Sequence, residues 1–175
     1  MLLDIDHSKI LLNAALETGL PVWVGLSCCD SKFDNSVIGR NFRAEKEKSL
    51  IYDENKYKDQ PKYLPEDKII LLEDIIKSLT SLGGDVYGIM HTWFQDSIGG
   101  LTILKNNWKG PIMFYPEIHK FDTNTHKAII TMTEEEFSNS ILELIDDQIQ
   151  IVGGCCGVND KHLKRLIQSI SEQIN

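Results

Sequence analysis

The chain of 175 residues is long enough for one ordinary domain, and its 42% apolar and 25% charged residues exclude a disordered or fibrous protein. With 26 acidic against 18 basic residues and a net charge of -8, it lacks the clustered positive surface that nucleic-acid binding needs. The opening Met1-Leu2-Leu3-Asp4-Ile5-Asp6 has no basic segment leading an apolar one, and no run of about 18 apolar residues occurs, so a cytoplasmic protein with no membrane partner is expected.

Helical spacing over residues 8–17 ends near Gly19, a good C-cap, and leads into a β-branched and aromatic run over 21–27 that predicts a buried strand. Cys28-Cys29 follows; neighbouring cysteines rarely bridge each other, and packing is the expected role of this pair. Residues 40–62 are about half charged and have no helical or strand period, which predicts a charged loop insertion, either beside the active-site face or solvated without a role. Helical spacing resumes over 66–79, a strand is expected at 86–90 after Gly83-Gly84, and a helix at 96–106. A third strand at 111–115 follows Gly110. Thr133 and Glu136 then make a capping box opening a helix over 133–145, ahead of a fourth strand at 149–152 and a last helix at 161–170.

Strands alternating with helices of about ten to fourteen residues imply parallel pairing through right-handed crossovers, hence an α/β class. Four strands make either half of an eight-stranded barrel or a small open sheet. His7, His119 and His126 show no partner spacing and are expected at solvated positions, while Trp23 and Trp93 read as buried aromatics.

Chemistry concentrates in Ile151-Val152-Gly153-Gly154-Cys155-Cys156-Gly157-Val158-Asn159-Asp160-Lys161-His162-Leu163. A strand runs into two glycines, two thiols and a third glycine, and a helix opens at Asn159 or Asp160, both good N-caps. Consecutive side chains of a regular strand point to opposite faces, so the glycines are needed to fold the backbone until both thiols reach one centre. That arrangement suits a soft metal ion, and zinc is the natural candidate for thiolate ligands. The helix N-terminus that follows favours the thiolate forms.

This segment resembles the Gly-Gly-Cys-Cys-Gly signature of homocysteine S-methyltransferases, in which a His-Leu or His-Ile pair, here His162-Leu163, opens the last helix. Upstream, residues 18–24 resemble the family's fifth strand, Tyr115-Pro116-Glu117 its Tyr-Pro-Asn after strand seven, and residues 133–137 the helix before strand eight. The resemblance implies strands 5–8 of a (β/α)8 TIM barrel, so that residues 1–175 form the C-terminal half of such a domain. It also implies a third zinc ligand at the end of strand six, where the family's cysteine is replaced by the histidine of Gly88-Ile89-Met90-His91. His91, Cys155 and Cys156 are then the metal ligands, in a set about one unit less negative than three thiolates. The family's acidic residue for the substrate ammonium group falls near the first residue, where Asp4, or Asp6, is the candidate substrate-binding stand-in.

The implied activity is zinc-dependent methyl transfer from a donor to the thiol of homocysteine or a similar substrate, forming methionine. The alternative is a non-catalytic zinc-binding remnant or interaction module of the same fold. The expected partner is a second copy of the chain or a separate N-terminal half-barrel chain, docked on the apolar faces of Val22, Val24, Ile112, Phe114, Ile149 and Ile151.

Overall fold

The computed structural model describes residues 5–30, 37–39, 70–122, 125 and 127–174; the charged stretch 40–62, Asp4 and His126 lie outside them. In chain order the elements are α1 (Ile5–Leu16), β1 (Trp23–Leu26), β2 (Cys28–Asp30), β3 (Val37–Gly39), α2 (Leu72–Thr80), β4 (Val86–Trp93) and α3 (Phe94–Asn107). They continue with β5 (Ile112–Glu117), β6 (His119–Asp122), β7 (Lys127–Ile130), α4 (Glu134–Leu142), β8 (Ile149–Val152) and α5 (Asp160–Ile174). The four expected strands pair in parallel in the order β1-β4-β5-β8, so the chain is α/β with each strand laid beside the previous one.

Two antiparallel hairpins, β2–β3 and β6–β7, add to what periodicity predicts. Each starts directly after the C-terminal end of a parallel strand, β1 or β5, the end at which parallel α/β proteins build their sites. Three- and four-residue strands are too short for an alternation to stand out from a loop.

Alternation along the strands sends Tyr87, Ile89, Ile112, Phe114 and Ile149 into one core with Leu72, Ile76 and Leu79 of α2, Leu104 of α3, Ile141 of α4 and Leu166 of α5. Each such large side chain contributes roughly 1.5–3 kcal/mol when buried. Val22 and Val24 pack against the same cluster. Five of the six residues expected to meet another chain, Ile151 being the exception, therefore lie under this chain's own helices. A period of two tells which residues share a face, and only the crossovers decide which face the helices cover.

The opposite face is built from glycines and methionines. A Cβ on Gly88 would lie 2.1 Å from Met113 Cγ and 2.3 Å from the Met113 carbonyl oxygen, and one on Gly25 would lie 2.0 Å from Met90 Sδ. Each methionine thus lies over a glycine of the neighbouring strand. Trp23, expected to be buried, is 54% exposed.

The capping box at Thr133 is formed: its hydroxyl accepts from the Glu136 amide and the Glu136 carboxylate accepts from the Thr133 amide. The helix it opens, α4, ends at Leu142, followed by a last turn in which the Leu144 and Ile145 amides donate to the Ile141 carbonyl, and Asp146 then turns the chain into β8. Its Oδ1 accepts from the amides of Gln148 and Ile149, which starts β8, and its Oδ2 receives Lys105 Nζ of α3 at 2.6 Å. Among the described residues no helix is long and apolar enough to cross a membrane.

The Lys105 ammonium, followed by those two amides, holds the Asp146 carboxyl below its ordinary value of 3.8. A depressed carboxyl stabilises the fold above its unfolded value and loses that contribution as pH falls through the folded one. Asp146→Ala should therefore cost about 1 kcal/mol at neutral pH from the lost hydrogen bonds. In urea titrations the gap to the unmodified chain should close as pH falls below 3.8, the ordinary carboxyl value; a pH-independent gap would refute the role of the ionised carboxylate.

Candidate metal centre

The C-terminal edge of the sheet is shaped by one extra residue in β4. Met90 pairs with Tyr115 and Trp93 with Glu117, so three steps along β4 match two along β5. Such a bulge re-aims the side chain at the irregularity. His91 sits there with φ +50, the single non-glycine residue in the left-handed region among the described residues. Backbone of this kind is strained for a histidine and is kept where surrounding contacts enforce it. Thr92 supplies such a contact, its hydroxyl donating to the Met90 carbonyl and accepting from the Cys28 amide.

The cysteine segment meets His91 from the other side of β5. Beyond β8 the ladder to β5 continues, with the Gly153 amide donating to the Phe114 carbonyl, the Cys155 amide to that of Pro116, and the Ile118 amide to that of Cys156. The Val158 amide donates to the Cys155 carbonyl, and Gly157, with φ +91, takes the third position of this turn, which only glycine enters without strain. Asn159 then caps α5, its Oδ1 accepting from the Lys161 amide.

The turn brings the two consecutive thiols close together. Cys155 Sγ and Cys156 Sγ are 3.7 Å apart. Two sulfurs each about 2.3 Å from a tetrahedral zinc ion would stand about 3.8 Å apart. His91 Nδ1 lies 3.1 Å and its Nε2 4.0 Å from Cys155 Sγ, bracketing the separation of about 3.5 Å between a nitrogen and a sulfur ligand of one zinc ion. The ligand atoms of His91, Cys155 and Cys156 all lie within 4.8 Å of one another. The donor set fits a zinc-class ion, and the exposure of Cys156 leaves an approach from solvent.

The remaining candidates fall elsewhere. Cys28 and Cys29 are fully buried, Cys28 beside Gly100 of α3, and no disulfide links the described cysteines. Asp6 is exposed in the first turn of α1 and shares no metal-ligand group among the described residues. His7 is exposed. His162 is buried edge-on against Phe137, with Nδ1 accepting from the Asn159 amide and Nε2 3.3 Å from the Met132 carbonyl, so it ties α5 to the start of α4.

Spacing missed one group. Glu117, His119 and Cys156 also bring ligand atoms within 4.8 Å of one another, and His119 is partly buried where a solvated position was expected. Its signal was the Glu-x-His spacing at a strand end, which puts both side chains on one side of an extended chain.

Residues 71–170, more than half of the chain, match the family model described as homocysteine S-methyltransferase. The chain belongs to this family. The matched span runs from the start of α2 into α5 and includes His91, Cys155 and Cys156, while α1 and β1 precede it. No curated protein gives a significant match.

Alanine at position 157 would take a left-handed φ with its Cβ 3.1 Å from the His119 backbone nitrogen. Gly157→Ala should cost about 1–2 kcal/mol. Urea denaturation with chelator present checks this without a contribution from metal; an unchanged midpoint would show that the turn relaxes freely.

Proposed function

We propose that this chain binds one zinc ion through His91, Cys155 and Cys156 and serves methyl transfer to the thiol of homocysteine. The observation that carries this reading is the convergence of two consecutive cysteines and a bulge-aimed histidine, inside a span that matches the methyltransferase family. Bound there, zinc supplies Lewis acidity that makes a coordinated thiol a thiolate near neutral pH. The protein's part is positional. The bulge fixes the imidazole, the turn fixes both sulfurs, and the open side at Cys156 admits the substrate. In the overall reaction the substrate thiol loses its proton, a sulfur–methyl bond forms, and the bond from the methyl group to a sulfonium, betaine or folate donor breaks, giving methionine. Two thiolates and a neutral imidazole leave the site about one unit less negative than three thiolates would, which makes the bound substrate sulfur less electron-rich.

Protein purified without chelator should carry zinc by elemental analysis, and Cys155→Ser should lower its zinc content by the ion held with His91. His91→Cys should retain or tighten it by restoring a third thiolate. Zinc content unaffected by Cys155→Ser would overturn the ligand assignment. Methyl transfer from a sulfonium donor to homocysteine, assayed with zinc, separates the catalytic reading from a non-catalytic zinc-binding module, for which zinc would bind and no methionine would form.

The four strands are further proposed to correspond to strands 5–8 of a (β/α)8 barrel. Their sequential parallel order and the core shared with the helices on one face support this, as does the methionine-over-glycine packing of the other face, which resembles the alternating layers of a barrel interior. Among the described residues β1 and β8 each pair on one side only, and the terminal helices expose Ile10 and Leu11 on α1 and Leu163 and Ile167 on α5. These flanks, with Trp23, replace the interface read from sequence. They would be covered by four complementary strands and their helices, from a second copy or another polypeptide. Light scattering of the 175-residue chain should show self-association; a stable monomer that binds no apolar dye would refute this assembly.

A further inference from the structure

The group Glu117, His119 and Cys156 shares one residue with the proposed zinc site and has a different chemistry. Glu117 ends β5 and His119 opens β6, so the two stand at i and i+2 of an extended chain and project to one side. The Ile118 amide between them donates to the Cys156 carbonyl, which holds this segment against the cysteine turn. His119 backbone and Cβ lie against Gly157, so imidazole and thiol are neighbours through main-chain contact rather than through flexible side chains alone. Glu117 is 4% exposed, and His119 Nδ1 is shielded from solvent with no hydrogen-bond partner. A ring nitrogen withdrawn from water without a partner costs free energy, and a cation at this point would satisfy it.

We propose that Glu117, His119 and Cys156 form a second position for a divalent cation of the zinc class, with Cys156 serving both positions. Carboxylate oxygen, imidazole nitrogen and thiolate sulfur are each zinc ligands, and three protein ligands leave a further coordination position open to water or another ligand. A thiolate sulfur has lone pairs enough to bridge two ions. His91 and Cys155 belong to the first group and Glu117 and His119 to the second, with Cys156 common to both, so each position keeps its own two ligands when the other's are removed. The carboxylate also offsets the charge a second ion would bring.

The test is a titration of the metal-free chain with Zn(II), read by native mass spectrometry, and with Co(II), read by the sulfur-to-cobalt charge-transfer absorbance. About two ions per chain are expected, falling to about one in His119→Ala and in Glu117→Gln, with far-UV circular dichroism unchanged. His91→Ala should also retain about one ion, now dependent on His119, and Cys156→Ser should weaken both positions. Saturation at one ion that His91→Ala removes and His119→Ala leaves intact would overturn the second position while the first stands. One ion removed by His119→Ala and kept by His91→Ala would support it and overturn the first. Binding of no ion would overturn both.

Discussion

The hydrogen-bond ladder between β5 and the chain leaving β8 is the constraint on which this site depends. It continues past the regular strand through the Gly153, Cys155 and Ile118 amides, so the cysteine turn is clamped to β5 rather than carried on a free loop. Two adjacent side chains of an extended chain diverge, and they meet here because the clamp ends in a turn with glycine at its left-handed position. The same ladder places the 117–119 segment across Cys156. One backbone device therefore places the cysteines that both groups of candidate ligands draw on.

Against this fixed turn, His91 is brought in by an irregularity. The extra residue in β4 costs one ladder step and puts a histidine at positive φ, and the Thr92 hydroxyl holds the distortion from both sides. Strain of this kind, on the order of 1–3 kcal/mol, persists where packing over-determines it, and it meets a cysteine sulfur within hydrogen-bonding distance. The packing comes from the helix-covered face, where Tyr87, Ile89 and Phe114 of the same two strands are fully buried. Core and site are thus opposite faces and ends of the same strands.

The face away from the helices has another logic. Glycines on β1 and β4 are filled over by methionines, which keeps that surface shallow and apolar, while Trp23 stays half exposed at the β1 end. Exposed apolar side chains on α1 and α5 bracket the row of helices. Burial is complete in the middle of the sheet and incomplete at its flanks, the pattern of a structure whose edges are suited to further pairing.

Sequence by itself determined the class, the four parallel strands, the capping box at Thr133 and the cysteine turn, since each rests on a local pattern: a period, a cap or a glycine spacing. It also marked His91, though by resemblance to a family and not by any property of Gly88-Ile89-Met90-His91 alone. Only the tertiary structure decided that Val22, Val24, Ile112, Phe114 and Ile149 face the chain's own helices, that Asp146, held by Lys105, turns the chain into β8, and that His119 stands beside Cys156. Those outcomes depend on the hand of the crossovers, on Lys105 reaching Asp146 from another helix, and on a ladder between segments about forty residues apart, all contacts between parts of the chain that no local window contains.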